Sequence, residues 1–200
     1  MMGRLMISLN SLTTPKKIQD FLDTLPINFE RSGDTHYSPR LVLEHNRAHC
    51  IEAALLGASL MWLNGIGEPL IMDLKAAKGD YDHVIAPYKV NGYWGALSKS
   101  NHATIRWRDP VYRTPRELVL SYFHEWFPEG TGRRTLRSYT LPLNMKKFGT
   151  DWITSEEHLW WVDTKLNSLS HYPIAPSKNM RLARLADPME IKAGSLTEWH

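Results

Sequence analysis

From residue 50 to residue 63 the chain is apolar almost without interruption, with only Glu52 and Ser59 polar. A helix apolar nearly all round is buried on every side. The run therefore predicts a central helix, opened by Cys50 and closed at Asn64-Gly65 as its C-cap. Before it, Ile18, Phe21 and Leu22 recur at helical spacing and predict a one-sided helix over residues 15–25. Ser38 followed by Pro39 is an N-cap with proline at the first helical position. It opens a short helix to about Asn46, with Leu41 and Val42 inward.

After Pro69 the period shortens. Residues 70–74 predict a strand, and residues 75–81 a polar loop. Residues 83–90 and 93–98 flank Asn91-Gly92, the strongest hairpin signal in the chain. Residues 104–108 predict a further strand. Thr114-Pro115-Arg116-Glu117 is a capping box that opens a helix to about Trp126, stopped by Pro128. A glycine-containing loop over 129–135 follows. A last helix is expected from Thr154, with Leu159, Val162, Leu166 and Leu169 on one face. The tail beyond Pro176 is polar and weakly patterned, and there is no internal repeat. Helices, then an antiparallel meander, then helices define an α+β fold. The buried cysteine helix packs on the meander, with flanking N- and C-terminal helices. The 200 residues suffice for one domain, read as a core at 38–127 and a C-terminal extension at 128–200.

Composition narrows the function classes. A net charge of +3, evenly spread, does not make a nucleic-acid surface. The longest apolar run, residues 53–63, falls short of the ~18–20 residues of a membrane span. Residues 1–14 do not read as a signal peptide. The single cysteine excludes an intrachain disulfide framework and suits a reducing, cytoplasmic setting.

A lone cysteine is ordinarily a small buried hydrophobe, but Cys50 stands at a predicted helix start. Unpaired N–H groups and a partial positive charge there favour thiolate and can bind an oxyanion. The preceding Asn46-Arg47-Ala48-His49 is polar and basic rather than core-like. A thiolate nucleophile needs a base. His83 opens a strand directly after the acidic Asp80-Tyr81-Asp82 and is the best placed of nine histidines. The Cys50 N–H is the default oxyanion donor; the Asn46 side chain is a second candidate that also suits a helix C-cap. Glu52, in the first turn, has Arg47, Lys99 or solvent as partners. His45 and His49 at i, i+4, then Cys50, with His83 as a fourth group, form an alternative zinc set. A helix break at Arg47-Ala48 would spoil that geometry. Arg133, Arg134, Arg137, Lys146 and Lys147 form a basic stretch suited to an acidic ligand or to solvent. Trp107, Trp126, Trp160 and Trp161 read as core or lid aromatics.

The stretches Ser38-Pro39-Arg40, Ala48-His49-Cys50-Ile51-Glu52-Ala53-Ala54-Leu55 and Asp82-His83-Val84 resemble an uncharacterised bacterial branch of the transglutaminase-like superfamily. Trp94-Gly95-Ala96, Lys99-Ser100-Asn101, Pro110-Val111-Tyr112-Arg113 and Glu117-Leu118 extend the likeness, which spans residues 38–127. The resemblance implies a papain-like core and a Cys-His-Asp/Asn triad. It implies acyl transfer from an amide or ester through a thioester, with no metal or organic cofactor. Peptide, protein or small amide or ester substrates follow from it. A non-catalytic binding module on a degenerate core is the alternative, because Ser98 fills the slot where the superfamily commonly has Asp. Ser98, Asn101 and Asp109 are the candidates for the third residue. A two-residue turn at Asn91-Gly92 pairs Val90 with Tyr93 and puts Ser98 on the face of His83. A three-residue turn puts Asn101 there. Because an amide oxygen orients an imidazole more rigidly than a hydroxyl, the expectation is the three-residue turn with Asn101. Asp109, beyond the sheet, ranks below it.

Overall fold

The computed structural model describes residues 9–128 and 130–198. Residues 1–8, part of the stretch contrasted above with a signal peptide, Glu129 of the expected loop and His200 lie outside the described residues. Three helices come first: α1 (Pro15–Thr24), α2 (Pro39–His45) and α3 (Cys50–Leu63). Thr14 and Ser38 cap the first two, each accepting from the backbone N–H three residues on, with proline at the helix start. In α3 eleven residues from Ile51 to Met61 are buried. Each fully buried leucine there, such as Leu55 or Leu56, is worth about 1.5–3 kcal/mol.

The sheet strands are β1 (Leu70–Ala76), β2 (His83–Val90), β3 (Tyr93–Leu97), β4 (Arg108–Tyr112), β5 (Leu136–Thr140), β6 (Leu143–Asn144) and β7 (His171–Pro173). Their order is β4-β3-β2-β1-β5-β7, with β6 also on β1, and the named pairings are antiparallel. Both faces of the sheet are covered. Ile71, Val84, Ala86 and Leu97 pack with α1, α2 and α3. Met72, Leu74, Ile85 and Ala96 pack with Leu118, Val119 and Tyr122 of α4 (Pro115–Phe123). Double burial explains why β1 and β2 read as nearly continuous apolar runs.

Three expectations move. The strand expected at 104–108 is displaced to β4, and Ala103–Ile105 is a 3₁₀ turn. Pro110 is tolerated in β4 because that strand forms the sheet edge. The last helix does not start at Thr154. A short α5 (Asp151–Thr154) ends there, and α6 (Trp160–Ser168) begins after a loop anchored to the first half of the chain. In that loop the Ser155 carbonyl accepts from Ser38 Oγ, and Leu159 N–H donates to the His36 carbonyl. The tail is more ordered than its polarity suggested. It carries α7 (Ser177–Met180) and α8 (Pro188–Gly194), the latter opened by a capping box of Asp187 and Glu190. Among the described residues no helix is long and apolar enough to cross a membrane.

Candidate active site

Cys50 is the first residue of α3 and is partly exposed. His83 opens β2 and is 4% exposed. The hairpin sets the imidazole. Asn91 and Gly92, both at positive φ (49° and 87°), form a two-residue turn, and Val90 pairs with Tyr93. The expected three-residue turn is therefore wrong, and Ser98 rather than Asn101 shares the face of His83. Asn-Gly with both φ positive is the twist-matched turn for a hairpin, which overrides the chemical preference for an amide. His83 Nε2 lies 2.8 Å from Ser98 Oγ. That hydroxyl donates its one hydrogen to the Ile105 carbonyl at 2.8 Å, so it accepts from Nε2–H. The tautomer follows: Nε2 is protonated, leaving Nδ1 as the ring nitrogen free to accept a proton. Trp126 stands edge-on to the ring at 5.8 Å, and its indole N–H donates to Asp80.

A second imidazole stands beside the same cysteine. His49, the N-cap residue of α3, precedes Cys50 and lines the same cleft. Its Nε2 faces three acceptors: the Thr35 carbonyl at 3.0 Å, Glu52 at 3.3 Å and Glu30 at 3.4 Å. Glu52 is fully buried and is not solvated or paired with Arg47 or Lys99. Its carboxylate accepts from the backbone N–H of His49 and Tyr37, the Thr35 hydroxyl and the Asn28 amide. Burial pushes this carboxyl up. The hydrogen bond and charge of His49, with the Tyr37 N–H and the Thr35 hydroxyl, outweigh it and hold the group at about 2. Burial likewise lowers His49, yet its bonds to Cys50 and Glu52 raise it well above the ordinary imidazole value. Burial raises the Cys50 thiol, but hydrogen bonds and charge from His49 and His83 bring it down to about 5. Arg47 reaches Tyr37 Oη instead, and Lys99 Nζ donates to the Leu22 and Leu25 carbonyls at the end of α1. Sequence reasoning missed the buried Glu52 network. Its one visible signal was Glu at the third helical position after His49, the capping-box spacing.

Cys50 and His83 open onto a cleft of about 410 Å³, lined also by Ile27, Phe29, Trp126 and Phe127. Asn101 lines the cleft without the His83 contact assigned to it, and its carbonyl accepts from Glu198 N–H. Asp109 is exposed on the edge strand β4. Asn46 is not among the residues that line the cleft: it caps α2 in the left-handed conformation (φ 51°) and is exposed, a role asparagine fills readily. The zinc set does not assemble. Among the described residues no three His, Cys, Asp or Glu side chains converge on one metal position, and His45 stacks on Tyr37 at 4.7 Å. The basic stretch is not one surface: Arg134 is buried and pairs with Glu190 at 2.7 Å, while Lys146 faces Glu68. Trp107 stacks on Tyr88, and Trp160 and Trp161 are half-exposed on α6. No family model matches the chain, and no curated protein matches its sequence.

Proposed function

We propose that this chain is a cysteine-dependent acyl-transfer enzyme of the transglutaminase-like, papain-like kind, acting on an amide or ester through a thioester. The observation that carries the reading is the Cys50 thiol at a helix start, sharing a cleft large enough for a small substrate with an imidazole whose tautomer Ser98 fixes. The thiol proton passes to His83 Nδ1, and Sγ adds to the carbonyl carbon. The carbonyl π electrons move to oxygen, where the Cys50 backbone N–H receives the charge. Collapse expels the amine or alkoxide, which takes the proton from His83. Water or an amine then attacks the thioester, His83 takes its proton, and the thiol is released. Substrates are peptides, proteins or small amides and esters, and the single unpaired thiol suits a reducing compartment. Ser98, in a slot suited to a carboxylate or amide, favours a second reading: a binding module whose thiol turns nothing over.

A thiol-directed acylating probe distinguishes them. Native protein is expected to be labelled at Cys50 near neutral pH and to release the acyl group as water attacks. Cys50→Ala abolishes labelling, and His83→Ala slows release by at least about a hundredfold. Labelling without release, equal in native protein and His83→Ala, would establish the binding module.

A further inference from the structure

The thiol has one more imidazole than a single general base requires. His83 Nε2 is held by a hydroxyl and can gain or lose a proton at its other nitrogen. His49 is held by acceptors alone at Nε2: one carbonyl and two carboxylates, all within 3.4 Å. Two features of the chain exist around that grip. Glu52, 0% exposed, has its charge satisfied by four different residues. Glu30 adopts the left-handed conformation (φ 52°), a strained choice for a residue with a Cβ, and its carboxylate accepts from Thr35 N–H beside His49. Strain at a site of this kind persists where the surrounding structure holds a needed side chain in place.

Resting on the acyl-transfer reading, we propose that His49 is a positioning imidazole, a permanent cation beside Cys50 that stabilises its thiolate while His83 alone moves the proton. In each cycle the thiol proton goes to His83, then to the leaving group, and returns to the sulfur from the attacking water or amine by way of His83. His49 keeps both ring protons throughout. The charged and titratable groups facing it are Cys50 and Glu52 from α3, Glu30 from the loop after α1, and His36 from the segment before α2. His36 meets His49 ring to ring at 5.9 Å and stacks on Trp160 at 4.2 Å. Burial, then the charge of His49, lowers His36 below the ordinary imidazole value, so the neighbour does not compete for the carboxylates.

Alkylation of Cys50 by iodoacetamide across pH tests this without a substrate. Each rate is taken relative to that protein's own high-pH plateau. Native protein should show a midpoint near pH 5, where the thiol is held. In His49→Gln the midpoint should rise by about two units, so that the relative rate at pH 6 falls about tenfold. His49→Lys, which keeps a cation, should recover part of that shift. If His49→Gln is unfolded by circular dichroism, Glu30→Gln decides, with an expected rise of about half a unit. A folded His49→Gln with the native midpoint, or an unshifted Glu30→Gln in its place, overturns the role of His49 and leaves the Cys50–His83 reading standing. A native midpoint at the free-thiol value of about 8.5 removes both.

Discussion

Replacing Glu52 by Gln tests the buried network at its centre. The carboxylate is 0% exposed, and both its oxygens only accept: one from Thr35 Oγ1 and Tyr37 N–H, the other from His49 N–H and Asn28 Nδ2. A glutamine amide fits the same volume but must turn its NH₂ toward one of those donor pairs. It also leaves His49 without its buried counter-charge. The folded carboxyl stands at about 2 against an ordinary value of 4.5. At about 1.4 kcal/mol per unit, the charged form contributes about 3 kcal/mol. That agrees with the roughly 3–5 kcal/mol lost when one partner of a buried pair is removed. Urea unfolding at pH 7 should therefore find Glu52→Gln less stable by about 3 kcal/mol. The sign with pH follows from a depressed folded value. The contribution is complete above 4.5 and is lost as pH falls through about 2. The native advantage over Glu52→Gln should shrink by about 1 kcal/mol between pH 7 and about pH 3.5. His49, raised in the fold, works oppositely: its contribution is complete below 6.5 and fades as pH rises through its folded value. A difference under about 1 kcal/mol at pH 7, or one that does not change toward acid, would refute the assignment of a charged, satisfied carboxylate.

Ser98→Ala should slow acyl release about tenfold, whereas Asn101→Ala should leave it within about twofold; the reverse order would restore Asn101 as the residue that orients the imidazole. Gly95→Ala places a Cβ 2.6 Å from the Tyr88 ring and 2.7 Å from the Arg108 carbonyl, beside the irregularity in the β3–β4 pairing. Thermal melting should show a loss of about 1–3 kcal/mol, and an unchanged melting temperature would mean that the edge strand yields without strain.

The sequence by itself determined the elements whose signals are local. The helical spacing of α1, the capped starts of α2 and α4, the all-round apolar α3 and the Asn-Gly turn each depend on residues a few positions apart, and each stands where its pattern placed it. Cys50 and His83 open α3 and β2 and line one cleft. Register was decided by whether Asn91-Gly92 turns in two residues or three, and the dipeptide alone permits both. Strands β5 and β7 are short and find their place only by pairing, β5 with distant β1 and β7 with β5. The Glu52 network was hidden for the same reason: its donors come from positions 28, 35, 37 and 49, on separate segments that only the packing of α3 beneath the preceding loops brings together. Local hydrogen-bonding patterns act over one turn of chain and can be read in order. A buried charge is satisfied by whatever the fold delivers to it, and that is a property of three dimensions.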